Sequence, residues 1–87
     1  GATVANLSPA VVEELQIEGA ESGVVLLSVA PRSTAERLGF QPGDVIVSVN
    51  GREIRRVADL KALANSRASG WRIAVQRNGR LFNLNLG

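Results

Sequence analysis

Eighty-seven residues, 45% of them apolar, with a formal net charge of +2, describe one small globular unit rather than a disordered chain or a basic nucleic-acid-binding tail. Without histidine or cysteine the chain can build no Ser-His-Asp or Cys-His nucleophile, no disulfide and no metal site that uses those ligands. No apolar run approaches the ~18 residues of a membrane span, and no basic segment followed by a long apolar one opens the sequence, so the chain reads as a domain excised from a longer parent, without its targeting signal.

The first element is a strand through Ala2, Thr3, Val4, Ala5, Asn6 and Leu7. Ser8-Pro9 ends it and starts a helix, with serine as N-cap and proline in the first turn. Val11, Val12 and Leu15 share one face of that short helix, Glu13, Glu14 and Glu18 take the others, and Glu21 falls in a loop marked by Gly19 and Gly23. The next strand, Gly23-Val24-Val25-Leu26-Leu27-Ser28-Val29, is nearly all apolar, which predicts cover on both faces and a place in the middle of the sheet or barrel.

Ser33-Thr34-Ala35-Glu36 fits a capping box, in which Ser33 accepts from the Glu36 amide and Glu36 reaches back to the Ser33 amide. A helix from about Thr34 to Leu38 follows, and Gly39 terminates it. Pro42-Gly43 forces a turn, Asp44 opens a β-branched core strand through Val45, Ile46, Val47 and Val49, and Asn50-Gly51 is a strong hairpin signal. Arg52-Glu53-Ile54 makes a short strand. Val57, Leu60, Leu63 and Ala64 then recur at helical spacing, with Asp59 near the start of that helix and Lys61 and Arg67 toward its end, as the helix dipole favours. The last element is a hairpin about Asn78-Gly79, with Trp71, Ile73 and Val75 on one face of its first arm and Phe82, Leu84 and Leu86 on one face of its second. About six short strands and two or three helices, without βαβ alternation, predict a mostly β, α+β fold: a small, partly open antiparallel barrel or sandwich capped by helices.

The polar residues carry little chemistry. Glu13, Glu14, Glu18, Glu21, Glu36, Asp44, Glu53 and Asp59 lack calcium-loop spacing and scatter over predicted surfaces, so neither a metal site nor an acid–base pair is expected, and this fragment is not expected to be an enzyme. The glycines form neither G-x-G-x-x-G nor a P-loop, and no cofactor is implied. Arg52, Arg55, Arg56, Arg67, Arg72, Arg77 and Arg80 crowd the later part of the chain, but the chain has only one Trp, two Phe and no Tyr, and Trp71 and Phe82 alternate in phase with core residues, so nucleic acid is not an expected partner. These arginines form a solvated face, or else Arg55 or Arg56 draws an anionic peptide toward the second predicted long helix.

Residues 38–51, L-G-F-Q-P-G-D-V-I-V-S-V-N-G, closely resemble the helix, turn and central strand of PDZ domains, particularly those of bacterial Do-like (HtrA/Deg) serine proteases, and the resemblance extends over the whole chain. It implies a circularly permuted PDZ fold in which the ligand-receiving strand comes first and the terminal hairpin closes the barrel. It also implies capture of C-terminal or unfolded hydrophobic peptides by β-augmentation, for substrate recognition or regulation in a periplasmic serine endopeptidase. By this resemblance Gly1, Ala2, Thr3, Val4, Ala5 and Asn6 are the end of the carboxylate-binding loop and the pairing strand, Gly1 and Ala2 being the last two positions of the family's loop pattern. Period-2 geometry turns Ala2 and Val4 toward the groove and Thr3 away. Leu60 lines the pocket for the ligand's terminal side chain, with Arg56 one turn before it and Leu63 or Ala64 one turn after. Arg56 stands where many animal PDZ domains carry a histidine that reads a ligand hydroxyl, so that preference does not carry over. Two alternatives stay open: a chiefly structural domain that docks other domains or subunits of the protease through the 8–21 insertion and the arginine-rich face, and a parent of another kind, a membrane-embedded metalloprotease or a tail-specific protease.

Overall fold

A computed structural model describes residues 2–19, 22–64 and 70–86. In chain order the elements are β1 (Ala2–Asn6), α1 (Pro9–Leu15), β2 (Val24–Val29), α2 (Thr34–Leu38), β3 (Val45–Val49), β4 (Arg52–Glu53), α3 (Val57–Ala64), β5 (Trp71–Arg77) and β6 (Arg80–Leu86). All strand pairs are antiparallel in the order β1-β2-β3-β5-β6, with the short β4 also on β3. The result is the six-stranded, partly open sheet with a few helices that the element count predicts.

Local chemistry accounts for most boundaries. The Ser8 hydroxyl accepts from the Val11 amide with Pro9 in the first turn of α1, and the Ser33 hydroxyl accepts from the Glu36 amide at α2. Both helices end the same way. A left-handed residue, Gln16 after α1 and Gly39 after α2, lets the amides of Ile17 and Phe40 bond back to Val12 and Ala35 while Gln16 and Gly39 bond to Glu13 and Glu36. In the turn at 41–44 the Asp44 amide bonds to the Gln41 carbonyl, with Gly43 at φ +92° as the position after proline demands. The two hairpin turns place Asn50 and Asn78 at φ +52° and +51°, and each following glycine is positive too, the geometry that matches strand twist.

The sheet is covered on both faces. On one, Val24, Leu26, Ile46 and Val75 form a core with Phe40 and Ile54, against which Leu38 of α2 and Val57 and Leu60 of α3 pack. On the other, Leu7, Val25 and Val45 are covered by Val11, Val12 and Ile17 of α1 and the turn after it. Alternate residues of one strand therefore serve separate cores, which is why β2 and β3 read as continuous apolar runs.

Four expectations need correction. β2 is next to the edge rather than central, and only Val24–Leu26 is buried on both faces; Leu27 and Ser28 are exposed. Leu15 is 42% exposed because the left-handed Gln16 turns Ile17, not Leu15, onto the sheet. The Glu36 carboxylate accepts from the Arg32 amide, while the Ser33 amide bonds to the Ala30 carbonyl, so only half of the capping box forms. Asp44, placed on the surface from sequence, is 1% exposed, and Arg77, assigned to a solvated face, holds it. The predicted positions of Glu21 and Arg67 lie outside the described residues.

The Asp44–Arg77 contact is a two-pronged ion pair. Arg77 Nε donates to Oδ1 at 2.7 Å and Nη2 to Oδ2 at 2.6 Å, while Nη2 also donates to the Gly39 carbonyl at 2.8 Å. The Gln41 amide donates to Oδ2, and the Arg77 guanidinium lies 4.7 Å from the centroid of the Phe82 ring. One buried carboxylate thus ties the end of α2, the 41–44 turn, the head of β3 and the terminal hairpin. Its hydrogen bond to Asp44 raises the Arg77 pKa above the ordinary value, against the pull of desolvation.

Candidate functional site

β1 is an edge strand: among the described residues it pairs only with β2. The Leu7 amide bonds to the Gly23 carbonyl, and an antiparallel ladder directs alternate residues to opposite sides. Ala5 therefore directs its backbone N–H and C=O groups at β2, and Val4 and Asn6 direct theirs at the outer edge. Such a row of outward peptide groups is what an added strand pairs with.

The neighbour of that edge is α3. Asn6 Oδ1 accepts from the Val57 amide at 2.6 Å, which fastens the end of β1 to the start of the helix. Asp59 Oδ2 accepts from the Arg55 amide at 3.1 Å and secures the same helix start from the other side. α3 is thereby held along β1, with Val4 on the strand and Val57 and Leu60 on the helix half-buried against the common core. Between strand and helix runs an open shelf with an apolar floor. Ala2, Thr3 and Asn6 are exposed, and Ala5 is turned to the opposite core beside Val25.

Of the residues singled out in the sequence, Val4 and Leu60 each pack half-buried against the main core beside this shelf, and Asn6 fastens the end of β1 to the start of α3. Leu63 is half-buried, packed on the main core, and lines a depression of about 250 Å³ with Arg52, Glu53, Ile54, Asp59 and Ala62, on the β4 side of the helix. Arg56 is at the helix start, its side chain 71% exposed and its Nε 3.9 Å from Asp59 Oδ1, a separation at which the pair restrains it little. Arg55 instead pairs with Glu53 at 3.1 Å, and that hydrogen bond raises its pKa from the ordinary value. Ala64 closes α3. Gly1 lies outside the described residues. Nothing in the sequence links positions 51 residues apart, so the Asn6–Val57 bond is legible only in the fold.

Volume alone points elsewhere. A cleft of about 470 Å³, with Gln16, Ile17, Gln41, Asp44, Gln76 and Arg77 among its walls, sits between the end of α1, the 41–44 turn and the tip of the terminal hairpin. β-Augmentation needs an exposed edge and a shallow apolar track rather than an enclosed cavity, so the shelf is the better candidate despite its openness. The fifteen described groups nearest to acid–base chemistry, the carboxylates and arginines, are on the surface or engaged in the ion pairs above, and no group of three or more Asp or Glu among the described residues could hold a metal ion.

Comparison with known proteins gives a family. A protein-family model for the PDZ domain matches residues 25–77. The periplasmic serine endoprotease DegP of Escherichia coli K12 is 35% identical over 69 residues, which cover 77% of this chain and 15% of that protein. A putative zinc metalloprotease of Brucella suis is 36% identical over 61 residues, 69% of this chain and 16% of that protein. The chain thus spans about one-sixth of the length of these relatives. Among solved structures, the HtrA3 PDZ domain bound to a phage-derived ligand, FGRWV, superposes with a TM-score of 0.86 at 29% identity, covering 100% of this chain and 80% of that one.

Proposed function

The chain belongs to the PDZ domain family, and from that premise we propose that it captures hydrophobic peptide segments, above all those with a free C-terminus, by adding them as a strand to the outer edge of β1 beside α3. The observation that carries this reading is the Asn6–Val57 bond, which holds an unpaired strand edge alongside a helix whose Val57 and Leu60 supply an apolar floor. Backbone pairing supplies affinity without regard to sequence, and alternate ligand side chains laid toward Leu60 supply selectivity. The HtrA3 structure, in which a PDZ domain of similar shape is bound to a peptide ending in valine, supports the same mode here.

In the whole protein this module would recognise substrates or regulate activity for a Do-like serine protease, with catalysis assigned to other parts of the chain and a periplasmic location, as for DegP. The Brucella relative supports the other parent, a metalloprotease with a similar PDZ domain. A docking role for the 8–21 segment draws support from one observation, the exposure of Leu15 on α1 beside the polar cleft. The deciding experiment is a titration of the chain with free-acid peptides ending in an apolar residue. Saturable binding that Leu60→Asp abolishes supports capture on the shelf, and a variant that binds as the parent does contradicts it.

A further inference from the structure

The sheet has a second open edge. β6 lies at the far end from β1 and, among the described residues, pairs only with β5. Its ladder runs unbroken from the Arg77–Arg80 pair to Trp71–Leu86. The β1 ladder, by contrast, is interrupted: Thr3 partners Ser28 and Val4 partners Leu26, so Leu27 is bulged out of β2, and it turns with Ser28 away from the core on which Leu26 and Val29 pack. The two-residue turn at Asn78-Gly79 makes Arg77 and Arg80 a hydrogen-bonded pair. Alternation from there directs the peptide groups of Phe82 and Leu84 at β5 and those of Leu81, Asn83 and Asn85 outward. Edge strands are commonly guarded by lysine, proline or a bulge, and β6 has none of these; its one charge, Arg80, is at its first residue. Leu81, Asn83 and Asn85 are exposed, Leu81 at 63%.

We propose that this edge pairs with the same edge of a second copy, antiparallel about a two-fold axis at Asn83. The strand fits itself in that register. Asn83 meets the partner's Asn83, and two carboxamides, each both donor and acceptor, satisfy one another without charge. Phe82 meets the partner's Leu84, apolar against apolar on the face that packs with Leu38 of α2, and Leu81 meets the partner's Asn85. The two Arg80 side chains fall at opposite ends of the ladder, so like charges stay apart. Moving the axis to Leu81 or Asn85, which also bond outward, shortens the overlap, so Asn83 gives the fullest pairing. Each outward residue then exchanges its backbone bonds with its counterpart, and the sheet runs on into the second copy. A strand edge buries less than the ~800 Å² per partner of a standard interface, so the dimer is weak, with a dissociation constant of roughly 0.1–1 mM. β1 stays free in it, and the inference stands apart from the groove reading.

The test follows sedimentation equilibrium and amide NMR shifts as the chain is concentrated to about 1 mM. The parent should dimerise, with concentration-dependent shifts at the amides of Leu81, Asn83 and Asn85. Asn83→Lys and Asn83→Glu, at an exposed position, should each weaken association about threefold or more by setting like charges face to face, and an equimolar mixture of the two should associate at least as tightly as the parent. Asn83→Pro, which removes an outward N–H, should be monomeric, and the charged variants decide alone if it does not fold. A parent that stays monomeric at the highest concentration overturns the proposal. So does association that both charged variants keep unchanged, or that an apolar-ended free-acid peptide dissolves, since the pairing would then run through β1.

Discussion

Asn6 Oδ1 lies 2.6 Å from the amide of Val57, 51 residues further along the chain, so a single side chain on the edge strand also caps the helix that walls the proposed groove. Asn6→Ala deprives that amide of its acceptor and should cost about 1 kcal/mol of stability while weakening peptide binding several-fold. Asn6→Asp keeps the acceptor and adds a charge that suits a helix start, so it should stay near the parent. Urea denaturation and a peptide titration of both variants check this; an Ala variant equal to the parent in both would contradict it.

Asp44 and Arg77 predict a second contrast. Arg77→Leu leaves a buried carboxylate without its counter-charge and should cost about 3–5 kcal/mol. Arg55→Leu, which breaks only the exposed pair with Glu53, should leave the denaturation midpoint close to that of the parent. Since the Arg77 pKa is raised, the arginine's share of this stability is complete below its unfolded value and is lost only as pH rises through the still more alkaline folded one. Denaturant midpoints of the two variants should therefore stay well separated from neutral to mildly alkaline pH.

Two glycines separate backbone strain from crowding. At Gly43, φ is +92° and nothing lies within 4 Å of a built Cβ, so Gly43→Ala should cost about 1 kcal/mol through backbone strain alone and Gly43→Val somewhat more. At Gly23, φ is +131° and a Cβ would meet the Ile46 carbonyl oxygen at 2.8 Å and Val45 Cγ1 at 3.0 Å, both in the buried β2–β3 junction. Gly23→Ala should lower the melting temperature more than Gly43→Ala. The reverse order would mean that the junction yields more easily than the turn.

How much of this was legible in the sequence depends on the range of the signal. Ser8, Ser33, Pro42-Gly43 and the two Asn-Gly pairs act over three or four residues, and their turns and caps form as read. The Asp44–Arg77 pair joins residues 33 apart through the β3–β5 register, which no local pattern encodes, and so both charges read as solvated. The bulge at Leu27 is likewise a property of the β1–β2 pairing, and a strand read by itself gives no hint that Leu27 and Ser28 turn to the same side. For the site, period 2 along β1 and the family resemblance led to Val4 and Leu60, whereas the Asn6–Val57 bond that sets strand against helix emerged only from the fold.

The terminal hairpin provides a check on strand phase. Phe82 packs on the main core and supports the Arg77 guanidinium, while Asn83 is exposed. Phe82→Ala should cost about 3 kcal/mol or more and Asn83→Ala less than about 0.5 kcal/mol. Equal losses in chemical denaturation would mean that the two faces of β6 have been exchanged.

Capture of a peptide C-terminus on the β1–α3 shelf is tested most directly by an NMR titration of this chain with an apolar-ended peptide as the free acid and as its C-terminal amide. The shelf predicts shifts that cluster from Ala2 to Leu7 and from Val57 to Ala64 for the acid and that largely vanish for the amide, because the proposed capture requires the carboxylate to accept from backbone N–H groups at the head of β1. Equal shifts from both peptides, or shifts confined to the 8–21 segment, would contradict the account and favour the docking role of α1.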